Sequence, residues 1–297
     1  WWHKKLEKQK IIANINKIIK NEDLTTGNYT SNYEKNICNF LKVKHCIAVS
    51  NGSMATLLAF LALNIKANDE IIIPNIGWIS VINACKIIGA VPIIADVEEK
   101  RPIIDTSKIR SLISTKTKII FPVYMNGRSA KIEELQKICK KNKIFLVEDA
   151  AQAIGIKYKK KFLGTFGDIG IFSTSATKMM TTGLGGFLVT NNKKLAEKIY
   201  NMRRHGFTNI QNIRAWDKFG GNFQISSIQS IMGIEQLKTL NQKLKINKKN
   251  YIYLVKKLRN YKKFIQPIDI NLNQGEIPVY NEFRVMYRNK LVRYLNK

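Results

Sequence analysis

The chain has 297 residues, 45% of them hydrophobic, which is enough to bury a sizeable core and too apolar for a disordered protein. Its 50 Lys and Arg against 21 Asp and Glu give a formal charge of +29, a balance that raises nucleic acid or an anionic membrane as partners. The lysines are scattered from Lys4 to Lys297 and no nucleic-acid signature accompanies them, so the excess reads as a whole-chain bias that favours anionic small ligands.

The opening WWHKKLEKQK lacks the apolar stretch of a secretory signal, and Leu6, Ile11, Ile12, Ile15 and Ile18-Ile19 then predict an amphipathic helix over 6–20. TTGNYTSNYE breaks it, with Gly27 as an ordinary turn or as part of a binding segment. Strand CIAVS runs into NGSMATLLAFLAL, where Gly52 and Ser53 begin an apolar helix. That helix start offers an anion free N–H groups and a hydroxyl; equally, Ser53 is a plain N-cap. MATLLAFLAL, the longest apolar run, is too short to span a bilayer.

DEIIIP is a buried-type strand followed by NIGWIS, and Trp78 there is core filler or a flat surface for stacking. Strands GAVPIIADV, KTKIIFPVY and KIFLVED alternate with helices such as KIEELQKICKKNK, the pattern of a parallel sheet covered on both faces. No Gly-rich dinucleotide motif or P-loop follows these strands, which removes the main support for nicotinamide or ATP chemistry. Cys38, Cys46, Cys85 and Cys139 show no C-x-x-C spacing, and His3, His45 and His205 are equally dispersed. Neither a zinc site nor a disulfide framework is indicated, and a reducing cytoplasm is the simple reading.

The richest stretch runs from Val147 to Gly186. Glu148-Asp149 end a strand where open α/β sheets place their ligands, and a small-residue helix start, AQA, is expected next. Lys178 follows the hydroxyls of Ser173, Thr174, Ser175 and Thr177, which are able to share a phosphate, and precedes Gly183, Gly185 and Gly186, which let the backbone turn tightly. A lysine able to condense with an aldehyde and an acid able to hold a cationic ring nitrogen suit pyridoxal 5'-phosphate (PLP). Gln152 shares a turn with Asp149.

These blocks, with VSNGSMATLLAFLAL, PVYMNG, RRHG and GNFQISSIQSIMGIEQL in the same order, resemble the DegT/DnrJ/EryC1/StrS sugar aminotransferases over roughly residues 20 to 240. The resemblance implies the fold type I of PLP-dependent transferases: a large domain with a mostly parallel central sheet and a small C-terminal α/β domain. The expected division is 1–35 as an N-terminal helix and substrate-side loop, 36–239 as the PLP-binding domain, and 240–297 as a shortened small domain or an incomplete one. Within 240–297 a Lys-rich helix to Arg259 and the strand-like PVYNEFRVMY are expected, the former separate from the preceding SSIQSIMGIEQLKTL.

By the same resemblance Lys178 is the cofactor-bearing lysine, a position held by histidine in the sugar dehydratase branch. Asp149 pairs with the pyridine nitrogen, Trp78 stacks on the ring, and Gln152 meets the phenolic oxygen. Gly52, Ser53, Ser173 and Asn222 hold phosphate, Asn222 across a homodimer interface. Glu148 and Asp96 are structural. Glutamate is the implied amino donor and a nucleotide-linked keto-sugar the acceptor, for surface polysaccharide. Two departures stand out: Leu184 replaces an acid before the paired glycines, and Gln224 replaces an arginine. With the short C-terminus they leave open a degenerate binding or regulatory relative, or a PLP-dependent dehydratase.

Overall fold

A computed structural model describes residues 5–21, 24–25, 27–210, 213–215, 219–261, 265–267, 276 and 285–287. The elements begin with helices α1 (Lys5–Lys20) and α2 (Asn28–Leu41), then β1 (His45–Val49), α3 (Gly52–Ala62), β2 (Glu70–Pro74), α4 (Ser80–Ile88) and β3 (Val91–Ala95). They continue with α5 (Ile109–Leu112), β4 (Thr117–Ile120), α6 (Ile132–Asn142), β5 (Phe145–Asp149) and the short pair β6 (Lys157–Tyr158) and β7 (Lys161–Phe162). After β8 (Ile169–Ser173), β9 (Gly186–Thr190) and α7 (Lys193–Arg203) come the hairpin strands β10 (Thr208–Ile210) and β11 (Ile213–Ala215). The long α8 (Ser227–Leu258) leads to β12 (Ile265–Pro267) and β13 (Val285–Tyr287), an antiparallel pair. The rest of PVYNEFRVMY lies outside the described residues.

Seven strands form one sheet in the order β1-β9-β8-β5-β4-β2-β3. All its pairings are parallel except those that β9 makes with β8 and β1, so the mostly parallel α/β sheet read from the sequence is the one observed. Successive residues of a strand face opposite sides, and here both sides are buried. Ile72, Ile120, Leu146 and Phe172 join the core beneath α2, α6 and α8, while Ile71, Ile73, Ile119, Phe121, Val147 and Ile171 join the core beneath α3, α4 and α7.

Two sequence expectations about helices need correction. α8 is a single helix of 32 residues rather than two: Ser226 and Gln229 close a capping box at its start, and no glycine or proline follows Gly233 to stop it. Gly233 is there because a Cβ would fall 2.5 Å from the Tyr33 ring of α2. The helix expected after Asp149 does not form. Residues 150–156 are tight turns, started by the Asp149 carboxylate accepting from the Ala151 N–H at 2.9 Å, and Gly155 turns the chain away at φ +78°.

The outer edge of β1 is closed by side chains. The Glu34 carboxylate from α2 accepts from the Ala48 N–H at 2.8 Å, and Arg203 at the end of α7 donates to the Ala48 carbonyl at 2.8 Å. Arg203 and Glu34 are themselves paired at 2.5 Å, with Arg203 almost fully buried. An edge strand otherwise exposes unpaired backbone groups to a second chain. Arg203→Leu is expected to cost about 3 kcal/mol, because it removes the buried counter-charge of the half-buried Glu34 carboxylate, and to lower the urea midpoint accordingly. Adding Glu34→Gln should recover part of that loss; simple addition of the two losses would contradict the pairing.

Candidate active site

The sheet register brings the site together. Gly186, the first residue of β9, pairs with Ser173 on one side and Val49 on the other. One strand further on, Asp149 is opposite Ile171, and Val123 bridges to Asp149 in turn. Thus the carboxyl ends of β1, β8 and β5 present Asn51, Ser173 and Asp149 along one edge.

α3 starts on this edge. Its cap is Asn51, whose side chain accepts from the Met54 N–H at 2.9 Å, so Ser53 is a residue of the first turn and not the N-cap. That placement leaves the Ser53 hydroxyl beside the helix's first N–H groups, which have no intrahelical partner. The fit here is close: a Cβ on Gly52 would lie 3.0 Å from the Ser173 Cβ, and a Cβ on Gly186 would lie 2.7 Å from the Gly52 nitrogen. Gly52 and Ser173 therefore meet at a helix N-terminus suited to an anion, with Ser53 in its first turn.

The Lys178 loop is fixed from below and from α8. Thr174, expected among the phosphate hydroxyls, is instead buried, its hydroxyl 2.8 Å from that of Thr182. Gly185 must be glycine because a Cβ would strike both those hydroxyls, and Gly183 adopts φ +81°. Leu184 is 66% exposed, while its carbonyl accepts from Thr182 at 2.8 Å and from Gln229 of α8 at 2.7 Å. So the loop is tied down through the backbone at the position where the acid is missing. Asn247 of α8 donates to the Met179 sulfur at 3.1 Å, next to Lys178 itself. Sequence reading missed Gln229 and Asn247; the Ser226-x-x-Gln229 capping box was the available signal for the first.

Asp149 sits in crowded surroundings that push its carboxyl pKa up; the Ala151 N–H and the Lys178 charge pull it back down. Its second oxygen has no protein hydrogen bond among the described residues. Gln152 accepts from the Asn126 N–H at 2.9 Å, which places it beside the β4 loop on the same edge. Trp78 is not core: it is 71% exposed, in the turn before α4, and its neighbour Gly77 faces Val123. Asn222 is exposed and held by Gln224 at 3.3 Å, in a segment whose Phe223 carbonyl accepts from Ser50 at 2.9 Å. It is not brought to the Ser173 seat by any contact within this chain's described residues.

Glu148 points away from the cleft, into the interior, where it accepts from the Tyr124 hydroxyl and the amides of Gly164, Phe166 and Gly167. Asp96 forms an exposed ion pair with Lys108. Glu148 is thus held as a structural residue. No described helix is long and apolar enough to cross a membrane.

A mostly parallel sheet with these residues at its carboxyl edge is the fold type I architecture of PLP-dependent transferases. The chain belongs to the DegT/DnrJ/EryC1/StrS aminotransferase family, whose model matches residues 5–297. It is 36% identical over 211 residues to a GDP-perosamine synthase of Escherichia coli O157:H7, an alignment covering 71% of this chain and 58% of that protein. Among solved structures it resembles Helicobacter pylori PseC, an aminotransferase involved in the biosynthesis of pseudoaminic acid. The TM-score is 0.87 at 26% identity, over 99% of this chain and 78% of that one. It also resembles an E. coli GDP-4-keto-6-deoxy-D-mannose-3-dehydratase with bound hydrated PLP, with TM-score 0.87 and 25% identity over 99% and 80% of the two chains. The chain thus spans less than two thirds of the length of the first of these relatives.

Proposed function

We propose that this chain is a PLP-dependent aminotransferase, or the cofactor-binding part of one, acting between glutamate and a nucleotide-linked keto-sugar in amino-sugar synthesis for surface polysaccharide. The observation that carries this reading is a lysine, Lys178, in a loop fastened beside a half-buried acid and a helix-start anion seat. The residues fit PLP: the seat of Gly52, Ser53 and Ser173 suits the phosphate, the free Asp149 oxygen suits the pyridine nitrogen, and the exposed Trp78 ring suits stacking.

Bound PLP supplies a ring that accepts electrons from a carbon losing its proton. The protein's share is to orient and to move that proton. Asp149 holds a proton at the ring nitrogen, Gln152 orients the ring edge, and Lys178 Nζ carries the proton between substrate carbon and cofactor. Lys178, rather than histidine, favours amino transfer over the dehydration chemistry named for one structural relative. We further assign the cofactor to residues 36–239, with Asn222 completing the neighbour's phosphate seat in a cytoplasmic homodimer.

The test is to load the purified protein with PLP and add glutamate. Release of 2-oxoglutarate matching the bound PLP is expected. Uptake of PLP with no release would overturn the aminotransferase reading in favour of a catalytically degenerate relative, and release without amination of an added nucleotide-linked keto-sugar would favour the dehydratase one.

A further inference from the structure

A fully buried carboxylate is held by residues distant in sequence. Glu276 is 0% exposed, and its Oε1 accepts from the Ser129 N–H at 2.8 Å, from the Ser129 hydroxyl at 2.8 Å and from the Arg101 guanidinium. Ser129 is 2% exposed and the adjacent Arg128 only 1%. Arg101 reaches in from the loop between β3 and α5, and its buried Nε has no hydrogen-bond partner among the described residues. A carboxylate leaves water at this depth only where charge and directed donors replace its hydration.

The receptor side belongs to the loop that fronts the cofactor cleft. Asn126 takes a left-handed conformation at φ 56°, and its N–H is the one that Gln152 accepts from, three residues before Ser129. So the Ser129 donors follow directly on the tight turn whose Asn126 amide is held by Gln152.

We propose that Arg101 and Ser129 form a carboxylate-binding pocket, with Glu276 as its internal ligand, and that its occupancy rigidifies the 126–130 loop beside Gln152. The inference does not rest on the cofactor assignment, because every contact in it is made within the protein.

The experiment is chemical rescue of Glu276→Ala, which opens the pocket, read by hydrogen exchange of the peptide covering 126–130. Exchange there is expected to rise about tenfold on loss of a charged hydrogen-bond acceptor. Sodium propionate at about 0.1 M should restore most of the protection, and sodium chloride at the same ionic strength should not. Equal effects of the two salts, or no rise in exchange, would overturn the proposal. Should Glu276→Ala unfold the whole chain, Glu276→Gln, Ser129→Ala and their double variant decide by urea midpoint. A double variant no worse than the worse single upholds the shared contact, and additive losses refute it.

Discussion

Lys178→Ala is expected to lose glutamate-dependent 2-oxoglutarate release by at least ~10⁴-fold, the order found when a residue that both bonds and shuttles protons is removed. The loss should be in chemistry more than in cofactor capture, since the Ser173 seat, Asp149 and Trp78 remain. Equilibrium dialysis should therefore still show PLP bound, while borohydride should fix PLP to Lys178 in the native protein and leave it removable in the variant. A second effect has a definite sign. The Lys178 charge helps hold the Asp149 carboxyl ionised against a surrounding that pushes its pKa up. Without it the pKa rises further, so on acidification the variant releases PLP at a higher pH than the native chain does. Full turnover in Lys178→Ala, or borohydride fixation at a different lysine, would remove the central assignment.

What the sequence disclosed and what it concealed divide along physical lines. Strand ends are legible because apolar runs stop where the sheet stops, which put Asp149 at the carboxyl end of a strand and Gly52-Ser53 at a helix start; that Ser173 shares their edge is set by the register of β8 and β1 on β9. The small-residue turns after Asp149 were misread because Ala and Gln favour helix locally. What overrode them was nonlocal: the Gln152 contact with Asn126, and the packing of Gly155 against Leu244 of α8. Thr174 looked like one more phosphate hydroxyl, since nothing in a Ser/Thr-rich run says which members face inward. The clamp of Glu34 and Arg203 was invisible because its members lie 169 residues apart and each is ordinary alone. The Leu184 departure looked like a defect, yet its carbonyl, which every residue type possesses, takes the contacts from Thr182 and Gln229. The two departures of this kind differ: Gln224 lies in an exposed contact with Asn222, so its consequence falls on whatever Asn222 touches.

Glu148→Leu should be the most damaging substitution for folding. Four donors converge on this one carboxylate: the Tyr124 hydroxyl at 2.5 Å, the Gly164 amide at 2.9 Å, and the amides of Phe166 and Gly167 at 2.6 Å each. Burial pushes the carboxyl pKa upward and these donors pull against that push. Leucine removes the acceptor without removing the donors. Three of them are backbone amides, which no substitution short of proline deletes, so no single compensating substitution repairs the site. With each stranded buried donor costing ~1–3 kcal/mol, the expected loss is at least about 4 kcal/mol, comparable to the whole stability of many domains. Tyr124→Phe removes just one donor and should cost about 1 kcal/mol. Adding it to Glu148→Leu should rescue little, because the three amides stay unpaired. Urea unfolding of the four proteins measures this directly, and a Glu148→Leu midpoint close to the native one would mean that water or a shifted loop satisfies those amides. The consequence for the site is geometric: Gly164 to Gly167 lead into β8, so loosening them releases the strand that carries Ser173, and PLP affinity should fall along with stability.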